Sequence, residues 1–137
     1  MRRVLVCVVV LGLCAAACSS KTSGTPATTS NSVTRPRSTA TLSILEPKSG
    51  ATLSTRTVVV QLKLVGGTIT KVVTTNIKPN VGHIHIRLDG RTITLLGSLT
   101  NPVPVTPGSH IVEAEFVAAD HGPFNPRVLS AVSFTVK

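Results

Sequence analysis

Residues 82–96 read GHIHIRLDGRTITLL and contain the clearest fold signal in the chain. Two runs of β-type residues flank the pair Asp89-Gly90, and such a pair is typical of a tight β-hairpin turn. In the first run, isoleucine and leucine alternate with histidine and arginine, so one face of the strand is apolar and the other polar. The stretch therefore predicts two antiparallel strands whose apolar face packs on a core.

Similar runs continue from residue 41 to the C-terminus, about ten residues apart, and no stretch there has a helical period. The most regular, TVVVQLKLV at 57–65, has its valines and leucines on one face. About seven short strands over this length predict an all-β domain, an immunoglobulin-like antiparallel β-sandwich. The predicted strands are 41–45, 57–65, 83–88, 91–96, 109–119 and 127–136, with a less regular run at 68–77 and a proline-rich, edge-like stretch at 99–105.

The N-terminus, MRRVLVCVVVLGLCAAACSS, has the organisation of a secretory leader. Two arginines precede an apolar run of about ten residues, too short for a bilayer, which needs roughly 20. Small residues then lead into Cys18, and this pattern resembles the lipobox of bacterial lipoproteins. The resemblance implies removal of residues 1–17 and acylation of Cys18, with palmitate as one of its fatty acids. A plain secretory signal cut near Ala17 is the alternative.

The cysteines and the composition of the next segment predict how the rest is organised. All three cysteines lie within the first 18 residues, so a domain over 41–137 has no internal disulfide and depends on a hydrophobic core. Residues 18–40 are mainly Ser, Thr, Pro, Gly and Asn, and such a stretch buries too little apolar surface to offset its chain entropy. The prediction is a signal peptide over 1–17, a disordered tether over 18–40 and the sandwich over 41–137.

The net charge bears on the class of partner. The chain has 14 Lys and Arg against 5 Asp and Glu, and loss of the two leader arginines leaves a net charge of +7. In an exported protein this charge favours anionic lipids or wall polymers as partners. Trp and Tyr are absent and there are three Phe, so the stacking platforms of nucleic-acid-binding proteins are missing. We therefore expect no nucleic-acid partner.

Four short motifs occur in order along the domain. They are Pro47, Gly50 and Leu53 of P-x-x-G-x-x-L, Gly82-His83-Ile84-His85 before Asp89-Gly90, Pro107-Gly108-Ser109-His110, and Asp120-His121. This order resembles bacterial Ig-like domains of exported lipoproteins, from about Leu42 to Val136. Because many such domains have no assigned activity, the resemblance implies fold and location rather than chemistry.

The expected function is a lipid-anchored, cell-envelope module on the exported face of a bacterial membrane. The module would be non-catalytic, with a binding or accessory role, an envelope protein or wall polymer as partner, and no cofactor. Edge strands and the loops around Pro79-Asn80 and Gly122-Pro123 are the expected contact regions.

The polar face of the first hairpin strand has two interpretations. In the first, the strand pairs antiparallel with SHIVEAEFVAA, which places Arg87 opposite Glu113 and His85 opposite Glu115. These are structural cross-strand pairs on the outer face of the sheet, where opposite charges stabilise the ladder. In the same register, His83 faces Val117.

The second interpretation is a metal site. The same pairing brings the start of the strand towards the loop at Asp120-His121, so His83, His85 and His121 would come close together. With Asp120 or Glu115 as a fourth ligand, they would bind Zn²⁺ or Cu²⁺. The alternative function is therefore a metal-binding lipoprotein that uses a surface histidine cluster.

Catalysis is not expected. Ser109-His110 and Asp120-His121 are neighbours in sequence, which does not bring a nucleophile, a base and an orienting group within hydrogen-bonding reach. The chain has no G-x-S-x-G motif and no phosphate-binding loop. His110 is also a poor fourth ligand for the metal site, because it begins its strand and about 25–30 Å of extended chain separates it from His121.

Overall fold

A computed structural model describes residues 34–137, and this part of the chain is all-β. Two sheets pack face to face, so the predicted β-sandwich is confirmed. The nine strands are β1 (Thr41–Glu46), β2 (Ala51–Leu53), β3 (Thr57–Val65), β4 (Thr68–Ile69), β5 (Val81–Leu88), β6 (Arg91–Gly97), β7 (Thr100–Pro104), β8 (Gly108–Ala118) and β9 (Pro123–Val136). Because β2 and β4 have only three and two residues, they are too short for a periodic pattern.

The two sheets differ in size. Sheet A has the order β1-β3-β7, and sheet B has the order β2-β9-β8-β5-β4, with β6 also paired to β5. The strands β4 and β6 share one edge of β5, with β4 at Val81 and Gly82 and β6 from Ile84 onward. The pairings of β2 with β9 and of β4 with β5 are parallel, and the other pairings are antiparallel.

The hydrophobic core lies between the sheets and consists of the inward faces that the alternation predicts. Removing these aliphatic and aromatic side chains from water is the main contribution to the stability of a domain without disulfides. The central strands contribute Val58, Val60 and Leu62 from β3, Ile84 and Ile86 from β5, and Val112, Ala114 and Phe116 from β8, all buried.

The turn between β5 and β6 has the geometry that its sequence predicts. Asp89 and Gly90 have φ angles of 50° and 77°, and both lie in the left-handed region. Two consecutive residues of this kind form the turn whose twist matches that of the paired strands. Leu88 and Arg91 therefore face each other as the first pair of the hairpin.

The segment before β1 contacts the domain. Asn80 Oδ1 accepts hydrogen bonds from the Ser38 hydroxyl and from the Thr39 amide, at 2.7 and 2.8 Å. The Pro36 carbonyl accepts one from the Asn125 amide at 3.0 Å. Residues 34–40, which their composition places in the tether, thus lie against the sandwich and belong to the same compact unit.

Several predictions concern residues outside the described range. They are the signal peptide over 1–17, the acylation of Cys18 and the part of the tether that precedes residue 34. Among residues 34–137, no helix is long and apolar enough to cross a membrane.

Candidate functional site

The pairing of β5 with β8 has the register expected from the sequence. His83 lies opposite Val117, His85 opposite Glu115 and Arg87 opposite Glu113. Arg87 Nη1 donates to Glu113 Oε1 at 2.6 Å, so the outer pair of the ladder is an ion pair. The ladder therefore positions two histidines on the face of sheet B that points away from the core.

Glu115, in the middle of this face, is only 2% exposed. Arg127 on β9 donates to its two oxygens at 2.7 and 2.5 Å, and Arg87 approaches one of them at 3.4 Å. The hydrogen bond to Glu115 raises the pKa of Arg127, which keeps the guanidinium charged. A buried carboxylate is tolerated when it is paired and hydrogen-bonded in this way. Glu115 is thus a structural group.

His83 is fully buried, although it lies on the face that the alternation predicts to be outward and polar. Its Nδ1 lies 2.7 Å from the Thr70 carbonyl oxygen, and its Nε2 lies 3.1 Å from that of Ala119. The Thr74 amide also donates to Ala119, so the segment after β4 crosses over the histidine. The expectation of a solvated outer face is therefore wrong at this end of β5, because a backbone segment covers it.

His121 completes a cluster with His83 and His85, which we call the histidine cluster. The ring of His121 stacks on those of His83 and His85, with centroids 4.5 and 5.2 Å away. One hydrogen bond joins His85 Nε2 and His121 Nδ1 at 3.0 Å. The φ of His121 is 64°, a left-handed conformation that histidine adopts more readily than most residues.

Burial has an electrostatic consequence for His85. Desolvation is the main reason that its pKa falls to about 4, and the neighbouring charge of His121 lowers it further. The Glu115 carboxylate acts in the opposite direction, while Arg87 and His83 add to the lowering. The ring is therefore neutral at pH 7 and is available as a hydrogen-bonding group rather than as a cation.

Asp120, beside the histidine cluster, is held by the N-terminal segment. Arg35 donates to its two oxygens at 2.6 and 2.9 Å and to the Pro123 carbonyl at 2.7 Å. This pair, which we call the Arg35–Asp120 clasp, lowers the pKa of Asp120 to about 2, chiefly through the hydrogen bonds from Arg35. The guanidinium lies over Gly122, where a side chain would displace it.

Only some of the predicted metal ligands lie close together and are free to bind a metal. The structure brings His83, His85 and His121 into contact, but the nitrogens of His83 face backbone carbonyls and the Asp120 carboxylate faces Arg35. Within residues 34–137, no group of three or more His, Cys, Asp or Glu side chains could hold a metal ion. Zinc or copper binding thus stays a prediction, and the arrangement that it needs is not the one present.

A second histidine contact lies at the other end of the β5–β8 ladder. His110 Nδ1 is 2.7 Å from Asp89 Oδ2, and its Nε2 is 2.7 Å from the Thr106 carbonyl. The Ile111 amide donates to the other Asp89 oxygen, and this bond is the main cause of the lowered pKa of Asp89. The hydrogen bond to Asp89 is the main cause of the raised pKa of His110.

These contacts explain the spacing of the histidine-containing motifs. At one end of the β5–β8 ladder, Asp89 of the D-G motif contacts His110 of P-G-x-H. At the other end, His85 of G-H-x-H contacts His121 of D-H. The motifs therefore connect turns to strands, which is a structural role.

The Asp89–His110 pair predicts a loss of stability at alkaline pH. Because the pKa of His110 is raised, its contribution is complete below about pH 6.5 and is lost as the pH rises through the raised value. Asp89 is 44% exposed, so solvent screening limits the effect to about 0.5–1 kcal/mol. Because the His85 contribution rises over the same pH range in both proteins, the measurement is the stability difference between the wild type and Asp89→Asn, which should shrink by this amount from pH 6 to pH 9 in urea unfolding. An equal loss in both proteins would show that another group is responsible.

A groove that the sequence analysis did not identify runs along the open side of the sandwich, where β6 and β7 end the two sheets. It has a volume of about 880 Å³. Its lining includes Ile69, Lys71, Ile93, Leu96, Leu99 and Val103. The adjacent pair Leu95-Leu96 is the signal that could have revealed it, since a regular strand with one buried face cannot bury two consecutive leucines.

Comparison with known proteins gives little further information. No family model matches this chain, and no curated protein matches it. Among solved structures, the crystal structure of an engineered protein from the Northeast Structural Genomics Consortium aligns with 72% of this chain, with 15% identity and a TM-score of 0.47. The alignment covers 20% of the engineered protein, so this chain spans about a fifth of its length.

Proposed function

We propose that this protein is an exported, lipid-anchored module of the bacterial cell envelope that binds another envelope component and has no catalytic role. Its anchor is the acylated Cys18. The observation that supports a binding role is the contrast between the acidic side chains, each of which contacts a basic side chain of the domain, and the aliphatic groove, which is open.

All five carboxylates of the chain contact a basic side chain. The pairs are Glu46–Lys48, Asp89–His110, Glu113–Arg87, Glu115–Arg127 and Asp120–Arg35. Each carboxylate thus has a basic partner within the domain. This arrangement supports a non-catalytic function.

The groove has the chemistry of a binding surface. Its lining is aliphatic, hydroxyl and amide, and Lys71 is the one titratable side chain among the described residues that form it. Ile93, Leu96 and Leu99 are each more than 40% exposed around it. Exposed aliphatic side chains that gather at one place favour contact with a partner.

The anchor and the binding surface are tested separately. In cells supplied with radiolabelled palmitate, we expect labelled protein that disappears in Cys18→Ala. Label that survived this substitution would contradict the anchor.

A photo-crosslinking amino acid at Leu96 should give a discrete adduct in intact cells. The same amino acid at Leu129 on β9, which is 43% exposed against 45% for Leu96, should not. Equal adducts at both positions, or none, would contradict a binding role for the groove.

A further inference from the structure

We propose that the partner binds as an extended strand added to the free edge of β6, an inference that rests on the proposed function. Among the strands of residues 34–137, β6 pairs with β5 along one side and with none along the other. Its outer edge therefore offers backbone amides and carbonyls at the rim of the aliphatic groove. Extended peptides recognise a sheet edge through such groups.

The other sheet edges among residues 34–137 are less suited than β6 to an added strand, although the register of β6 has bulges and its Leu96 amide donates to the Thr94 hydroxyl at 3.4 Å. The edge strands β2 and β4 are only three and two residues long, and β7 contains Pro102 and Pro104, which cannot donate to a ladder. On β1, the Ser130 hydroxyl accepts a hydrogen bond from the Ile44 amide. The strand β6 has seven residues, RTITLLG, without proline, lysine or an acidic residue, and only bulges interrupt its regularity. It is thus the edge most able to accept another strand.

The side chains of β6 are suited to an added strand. Ile93, Leu95 and Leu96 are 42–48% exposed, and the irregular register lets aliphatic groups occur at consecutive positions. Ile93 and Leu96 line the groove, and Leu95 between them is exposed as well. A strand beside β6 would cover these groups and satisfy the backbone at the same time.

The occupant that fits best is a segment of a partner protein. A lipid surface would cover the aliphatic side chains but would leave the backbone groups of the edge without hydrogen bonds, at a high cost. A second copy of this chain carries the same excess of positive charge, which opposes self-association.

Charge indicates the composition of that segment. Lys71 lines the groove, and Arg91 lies in an adjoining groove of about 510 Å³ that shares Ile93 with it. Asp89, which also lines the second groove, is engaged by His110. A partner segment with acidic residues at its ends complements these basic side chains, and alternating β-branched residues between them favour the extended conformation that strand addition needs.

The peptide acetyl-EVTVTVE-amide is a direct probe. It is added to the leaderless chain from residue 18 with Cys18→Ser, and amide shifts and hydrogen exchange are measured by NMR. We expect saturable shifts and slower exchange confined to β6 and its neighbours. A version with alternate nitrogens methylated should bind roughly tenfold more weakly, because it loses hydrogen bonds along one edge. Leu95→Lys should weaken binding, whereas Leu129→Lys on β9 should not.

Three results would overturn the inference. They are no protection of β6 at millimolar peptide, equal affinity of the methylated peptide, and sedimentation as a dimer with β6 amides already protected, which would assign the edge to a second copy. A crosslink at Leu96 in cells together with any of these would retain the binding function and reject strand addition. Absence of a crosslink at Leu96 would reject both the binding function and strand addition.

Discussion

Replacing Gly82 with alanine is expected to destabilise the domain by more than about 3 kcal/mol or to prevent folding. A Cβ on Gly82 would overlap the backbone carbonyl of Val117, the neighbouring residue on the paired strand β8. A backbone group cannot move aside as a flexible side chain can, so the β5–β8 ladder must separate there. Urea unfolding followed by far-ultraviolet circular dichroism would measure the loss.

Gly90→Ala is the matched control. Gly90 has a φ of 77° but nothing within 4 Å of an added Cβ, so the cost is confined to the backbone and is about 1 kcal/mol. If the two variants unfolded at the same urea concentration, the overlap at Gly82 would not be the determinant of stability.

Acidification from pH 7.5 to pH 4 is expected to lower the free energy of unfolding by up to about 3 kcal/mol through His85. Its pKa is about 4 in the folded protein, below the ordinary value of 6.5, because burial and the His121 charge disfavour the cation. The unfolded chain therefore takes up a proton below pH 6.5 that the folded chain does not accept until about pH 4. The contribution is complete above pH 6.5 and is lost as the pH falls.

His85→Gln isolates this effect, since the amide retains hydrogen-bonding capacity and does not titrate. Across pH 6.5 to 4, the variant should lose less stability than the wild type. The Asp89–His110 pair does not interfere, because the His110 contribution is already complete below pH 6.5 and the loss from Asp89, whose pKa is lowered, is the same in both proteins. Because the pKa of Asp120 is lowered to about 2, the stability that Asp120 contributes is lost at more acidic pH. Parallel pH profiles in the two proteins would contradict the role of His85.

The parts of the fold that the sequence predicts are those set by local chemistry. Asp89-Gly90 specifies the turn without reference to distant residues, and the alternation in β3 identifies its buried face. The β5–β8 register could be inferred because opposite charges at Arg87 and Glu113 allow one alignment in which the polar residues match.

The burial of the histidine cluster could not be predicted in the same way. The groups that cover His83 are the carbonyls of Thr70 and Ala119, and backbone atoms have no signature in a side-chain pattern. Val117, on the same face of β8 as Glu113 and Glu115, is apolar and buried. Ile111 and Leu129 on this face are also apolar but exposed, so apolar character alone does not identify the covered end of the face.

Local composition was also misleading for the segment before β1 and for the start of β9. Residues 34–40 resemble a tether because they are mostly polar, yet Arg35 and Ser38 attach them through specific polar contacts and Ala40 is buried in the core. The strand β9 begins at Pro123, four residues earlier than the sequence predicts, although proline usually argues against a strand. In both cases long-range hydrogen bonds outweigh the local preference.

The position of the Arg35–Asp120 clasp determines how the domain would respond to mechanical tension. Asp120 lies between β8 and β9 of sheet B, and the proposed partner strand lies on β6 of the same sheet. A pulling force between an anchored N-terminal segment and a partner on β6 would therefore pass across the strands of sheet B while sheet A carried little of it. Once the clasp ruptured, the hydrogen bonds of Pro36 with Asn125 and of Ser38 and Thr39 with Asn80 would carry the force next, before it reached β1 in sheet A.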